Sequence, residues 1–466
     1  MFKNLNIFRP LLAILILFIP LYPKFPLTSV DGTYVAIRFD DVIIALTLLI
    51  WGIYQIKNKF PVFKVKITKL FLVYFVAIII SFINAFFIYQ TDPTNILLLN
   101  LIRRFEYISL FFVTISSVKT LKDFKFTYIF LLIATAFICF YGYGQKYLSF
   151  PIISTMNSEF SKGQLLQMNI WTRVSSTFAG HYDLAAFLSV VLIIIAAVGL
   201  TNKNIFIKIF SLIIWLPAFQ ILTFTASRVS IFAFLGGVCV TLFLLKKYWW
   251  ILPISGLVVF SMFNSKDLSQ RLLATIPAFK TQINQTQNQP TPTLVPTAIP
   301  TLIPTVTTIA TNHTKVTPIP TIIRHQSTDE YPPVDTDVGV ARSGEIRFNV
   351  EWPRAINALR KNIFIGTGLG SITLATDNDY LRSLGESGLL GFISFFAIIT
   401  FFIAKTIPFI FVKNKTYSQK ISIIFLGGLF ATLANAIFID VFEASKTAYL
   451  FWIMMGLYYQ SLTLKE

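Results

Sequence analysis

Three arginines stand beside apolar runs of this 466-residue chain: Arg173 in WTRVSSTFAGHYD, Arg228 in TFTASRVS and Arg347 in SGEIRFNVEW. A guanidinium at a membrane boundary is costly to place and usually has a partner. Its planar fork matches phosphate oxygens bidentately. Three such groups converging on one cavity would hold a pyrophosphate. Each arginine taken alone also fits plain snorkelling to lipid headgroups. Two side chains nearby suit proton transfer, His181 and Asp377. His181 equally fits a loop histidine that orders its segment, and Asp377 equally fits a helix cap. Asp183 is placed to orient His181 or to cap the following helix. Gly366, Gly368 and Gly370 form a Gly-rich turn, GTGLG. Such a turn can cradle phosphate on backbone N–H groups, although glycines more often serve tight turns. No Lys-Ser/Thr pair follows, so it is not a Walker A loop. Asn378 and Tyr380 follow Asp377 where the chain leads into an apolar run. Arg103 and Glu106 are spaced for an i, i+3 pair, which with Arg104 reads as structural or as minor cavity lining.

The elements that must position these residues are set by composition. Hydrophobic residues make up 55% and charged residues 13%, against roughly 25% charged in soluble proteins; the mean hydropathy is +0.70. An ordinary soluble enzyme, a disordered chain and a collagen-like fibre are excluded. Two cysteines and three histidines leave no disulfide scaffold and predict no Cys/His metal cluster. Cys139 and Cys239 lie in apolar runs and read as small buried hydrophobes. About twelve runs approach the roughly 20 residues that a bilayer core requires: 10–23, 42–56, 69–89, 96–117, 126–146, 183–200, 204–224, 229–245, 248–263, 388–412, 419–440 and 446–463. A break is expected in 388–412 near Pro408. The first run is followed by Tyr22-Pro23-Lys24 rather than a cleavage site, so a retained helix is expected. With both termini cytoplasmic, the inner loops and termini carry 19 Lys/Arg against two acids, as the positive-inside rule requires. The net charge of +18 is therefore topology, and it assigns no nucleic-acid role. The expected fold is an all-α polytopic bundle in the cytoplasmic membrane.

Two outer segments are long, 147–182 and 264–387. Residues 1–263 hold the first nine spans and 388–466 the last three. Within 264–387, Asn264–Lys280 reads as a short amphipathic helix. Residues 281–336 read as a disordered Pro/Thr-rich spacer of extended chain. Two Asn-x-Thr patterns, at Asn284 and Asn312, are weak glycosylation signals. The motif-bearing part, 343–387, begins with an amphipathic helix over 343–361. Ile346, Val350, Ala355 and Leu359 define its apolar face, while Phe348 and Trp352 suit an interfacial belt.

At these residues the sequence resembles the O-antigen ligase and O-antigen polymerase superfamily of membrane glycosyltransferases. The similar segments are RVSSTFAGHYDLAAFL (Arg173–Leu188), TASR (Thr225–Arg228), SGEIRFNVEWPRAINAL (Ser343–Leu359), IFIGTGLGSI (Ile363–Ile372) and DNDYLRSLGESGLLGF (Asp377–Phe392). Order, sidedness and the twelve-span layout all fit. Two positions depart: the family's histidine before N-x-Y-L is Asp377, and the proline of its Gly-rich turn is Ile363. The resemblance implies that arginines hold the diphosphate of a polyprenyl-diphosphate-linked glycan. A base takes the acceptor hydroxyl's proton, with no cofactor, nucleotide sugar or metal. It also implies a glycan, lipid or protein acceptor, and leaves polymerase and ligase open. Tyr380 and Glu386 match the family and read as packing residues. The rival from another class is a transporter or flippase of lipid-linked glycans, which would show internal repeats; the halves show none. A surface stalk would explain the spacer but not the boundary arginines.

Overall fold

The computed structural model describes residues 7–29, 36–89, 94–153, 165–166, 173–264, 346–372 and 376–464. The Asn264–Lys280 helix beyond its first residue, the 281–336 spacer and both Asn-x-Thr patterns lie outside the described residues.

The described chain is almost wholly helical, as lipid demands of backbone that must satisfy its own hydrogen bonds. Its helices are α1 Phe8–Leu21, α2 Phe39–Lys57, α3 Thr68–Asn84, α4 Thr94–Ser117, α5 Leu121–Tyr147, α6 His181–Thr201, α7 Ile205–Phe224, α8 Arg228–Leu244, α9 Ile251–Asn264, α10 Trp352–Lys361, α11 Asp379–Phe411, α12 Tyr417–Asn435 and α13 Ser445–Thr463. A short antiparallel hairpin, Pro26–Ser29 with Ala36–Arg38, joins α1 to α2. Each of the twelve predicted apolar runs overlaps a helix, with residues 22–23 and 436–440 lying beyond the ends of α1 and α12. Among the described residues, seven helices are long and apolar enough to cross a membrane: α2, α3 with its π-helical extension to Ile88, α5, α6, α7, α11 and α12.

Local sequence sets the boundaries. Thr120 and Asp123 form a capping box on α5, as do Thr416 and Gln419 on α12, and each satisfies orphan N–H groups. Small residues let helices approach closely. A Cβ on Gly237 of α8 would sit 2.9 Å from the Gly427 carbonyl of α12, and one on Gly456 of α13 would sit 2.8 Å from the Phe111 carbonyl of α4. Phe71, Phe111, Phe402, Tyr449 and Trp452 are among the largest fully buried side chains.

Two expectations are corrected. The break in the run 388–412 falls at Gly388 (φ 63°, ψ −170°), not at Pro408, which the helix carries without interruption. Glycine reaches that backbone conformation readily. The expected helix over 343–361 is described from Ile346 and is not uniform: Arg347–Glu351 is a π-helix and only Trp352–Lys361 is α-helical. The π-turn shifts the helical register between Ile346 and the α-helical part. Ile346 and Val350 are 42% and 48% exposed, and only Ala355 is buried.

Candidate functional site

Two of the segments that carry the arginines hold a non-glycine residue in the left-handed region, Ser176 (φ 49°) near Arg173 and Ala226 (φ 51°) near Arg228, and so does Asp377 (φ 48°), the partner of Arg347. Such backbone costs about 1–2 kcal/mol per residue and persists where surroundings over-determine it.

Those surroundings are polar anchors from other helices. The Arg173 segment is fastened by Gln145 of α5, whose Oε1 accepts from the Ser176 amide (2.7 Å) and whose Nε2 donates to the Ser176 carbonyl (3.0 Å). Thr177 Oγ1 donates to the Pro20 carbonyl (2.6 Å). Lys446 of α13, fully buried, donates to the carbonyls of Thr177 (2.7 Å) and Pro20 (3.1 Å), and its ammonium lies 4.8 Å from the Phe178 ring centre. The Arg228 turn is held by Ser230, which donates to Asn435 of α12 (2.7 Å), while Asn435 donates to Ser189 of α6 (3.0 Å). The Asp377 turn rests on Asp440, in the turn between α12 and α13. Asp440 accepts from the amides of Thr376 (3.0 Å) and Asn378 (3.2 Å) and from Arg382 Nη1 (3.3 Å).

The side chains meet around Tyr182. Its phenol hydrogen-bonds both Arg173 and Arg347, and Arg228 lies within electrostatic reach of Tyr182, Arg173 and Arg347. Arg347 Nε and Nη2 both donate to Asp377 Oδ2, at 2.9 and 2.7 Å. Arg173 Nη1 lies 2.6 Å from His181 Nε2. Arginine only donates, so His181 Nε2 accepts and the ring proton sits on Nδ1. All five residues singled out as diphosphate binders and bases are thus gathered. Three guanidiniums around one tyrosine make a strongly positive cluster, suited to an anion with several oxygens. Burial raises the Asp377 carboxyl above its ordinary range, and the Arg347 guanidinium opposes that rise.

The secondary candidates make hydrogen bonds within the protein. Asn378 is the N-cap of α11, its side chain accepting from the Leu381 amide at 2.9 Å, so the cap is Asn378 rather than Asp377. Tyr380 donates to the Leu433 carbonyl at 2.8 Å. The amides of the Gly-rich turn bond to protein groups. The amides of Gly366, Thr367 and Gly368 donate to the carbonyls of Asn362, Gly385 and Glu386 at 2.8–3.0 Å, and the Gly370 amide bonds the Glu386 carboxylate. All three glycines have positive φ, and a Cβ on Gly368 would lie 2.2 Å from Ala85 Cβ. The turn fits into the break of α11, where Leu389 and Leu390 donate back to Ile363 and Phe364 at 2.8 and 3.0 Å.

Arg103 approaches Asp41 of α2 at 4.0 Å, and Glu106 acts on it electrostatically. Arg104 pairs with Glu443. Arg382 bridges Glu386 and Asp440, both at 3.3 Å. Of these charges, Asp440, with Arg382 beside it, holds the Asp377 turn. Sequence reasoning missed Tyr182, Asp440 and Lys446. The signal for Asp440 and Lys446 was there: lone charges beside the last two apolar runs, where unpaired charge is costly. Cys139 is buried and Cys239 partly so.

No protein-family model matches the chain, and no curated protein matches it.

Proposed function

We propose that the chain is a membrane glycosyltransferase of the O-antigen ligase/polymerase type. It takes glycan from a polyprenyl-diphosphate-linked donor at the outer face of the cytoplasmic membrane, through a bundle of about twelve spans. The observation that carries this reading is the convergence of Arg173, Arg228 and Arg347, from three separate segments, on Tyr182. A leaving diphosphate develops negative charge, and cations fixed in a low-dielectric site stabilise that charge without reorganising. The strained, multiply anchored turns supply the fixed geometry. In this reading the acceptor hydroxyl attacks the anomeric carbon and the lipid diphosphate leaves onto the arginines. Of the two bases legible in the sequence, His181 has its Nε2 lone pair occupied by Arg173. Asp377 has Oδ2 committed to Arg347.

The test is reconstitution in proteoliposomes with a polyprenyl-diphosphate oligosaccharide and no nucleotide sugar. A ladder of repeats with free polyprenyl diphosphate means polymerase, and a single transfer to an added acceptor means ligase. Movement of intact donor between leaflets without diphosphate release would instead establish the transporter.

A further inference from the structure

Resting on the glycosyl-transfer reading, we propose that Glu351 is the residue that takes the acceptor's proton and that Glu351, Trp352 and Arg354 form one wall of the acceptor sugar's site. Three polar atoms within these four residues are buried and make no hydrogen bond among the described residues: Glu351 Oε2, Trp352 Nε1 and Arg354 Nη1. Buried polar groups are nearly always paired, so three unpaired ones together need an explanation. A sugar supplies it, because each hydroxyl both donates and accepts. It can donate to the carboxylate and accept from the indole and guanidinium N–H groups.

The placement relative to the arginines follows from the π-helix. Glu351 closes the π-turn that Arg347 opens, and single π-turns recur at functional sites. Trp352 is held by rings on two sides, with centroids 4.6 Å from Phe348 and 6.1 Å from Phe438. Arg354, alone of the three, also lines a cleft of about 580 Å³, whose wall includes Asn349, Asn357 and Ser371. That amide and hydroxyl lining suits the rest of a glycan.

The charged groups facing Glu351 are Arg347 and Arg354 from its own helical segment, Asp377 from the turn before α11, and Asp440 from the turn between α12 and α13. Arg382 of α11 is turned to Asp440. Burial first and the Asp377 charge second push the Glu351 carboxyl up to about 7, against the pull of Arg347. A general base works best when matched to the ambient pH. Asp377, held by Arg347 through Oδ2, instead positions that guanidinium.

The step balances as follows. The acceptor O–H bond breaks and its proton goes to the Glu351 carboxylate. The freed oxygen pair forms the bond to the anomeric carbon. The bond from that carbon to the phosphate oxygen breaks, and its pair leaves on the diphosphate held by the arginines. Glu351 then returns the proton to water.

The experiment is the pH–rate profile of transfer in proteoliposomes, with polyprenyl-diphosphate oligosaccharide as donor and free oligosaccharide as acceptor. The wild type should gain about tenfold per pH unit below about 7 and level above it. Glu351→Gln should lose about 100-fold or more and show no acidic limb. Glu351→Asp should keep a limb, which guards against misfolding as the cause. Asp377→Asn should be slower with the limb retained, and Trp352→Phe should raise the acceptor KM with the limb unmoved. A limb that survives in Glu351→Gln, or vanishes only in Asp377→Asn, overturns the assignment to Glu351. A wild type that releases no diphosphate at any pH overturns the glycosyl-transfer reading itself, and the proton assignment with it.

Discussion

Arg228 opens α8 facing Tyr182 and two other guanidiniums, an arrangement that like-charge repulsion opposes until an anion binds. Losing one preorganised group that stabilises transition-state charge typically costs about 10²–10³ in kcat. Arg228→Ala and Arg173→Ala should each lower kcat/KM by about that factor at normal expression, measured on the reconstituted protein. Lysine at either position should recover little, because an ammonium lacks the planar fork. Tyr182→Phe removes the hydroxyl that bridges Arg173 and Arg347; a loss of about 10- to 100-fold in kcat/KM is expected, since a bond to a charged group contributes about 1.5–3 kcal/mol. The arginines were legible in the sequence because a guanidinium beside an apolar run needs a reason. Tyr182 and Glu351 were not. Tyrosine is common in membrane proteins, and the role of Glu351 depends on a π-turn that no periodicity announces.

At the scale of elements, the turn before α11 is held by Asp440, which lies 62 residues or more beyond the amides it accepts from. Asp440→Ala leaves two amides and part of the Arg382 fork unpaired. Breaking a buried charged network costs about 3–5 kcal/mol, so detergent-solubilised protein should unfold at a clearly lower temperature, and transfer should fall with it. Gly368→Ala places a methyl 2.2 Å from Ala85 Cβ at a φ of 101°. Overpacking costs about 1–3 kcal/mol, so a lower melting temperature is expected, without the loss of diphosphate affinity that a phosphate-cradling turn would show. The run boundaries could be read from the sequence because apolar length is a strong signal in a membrane protein. The break at Gly388 could not. It depends on the Gly-rich turn docking into it, a long-range fit that outranks the local expectation attached to Pro408.

For the whole molecule, the excess of basic residues on one set of loops predicts which end faces the cytoplasm. With Cys139 and Cys239 replaced by serine, Lys59→Cys should react with a membrane-impermeant maleimide only in opened cells. Arg360→Cys should react in intact ones. Both native side chains are exposed, so a reversed pattern would invert the topology. The sidedness and the arginine constellation belong to one claim: a cationic site at the outer end of the bundle, built for a lipid-linked diphosphate. The most direct test is the release of free polyprenyl diphosphate from a lipid-linked oligosaccharide by proteoliposomes carrying wild type or Arg228→Ala. The account predicts release coupled one-to-one with glycan transfer by the wild type, and about 10²–10³-fold slower release by the variant. Equal release by both, or glycan moved with its lipid still attached, would contradict it.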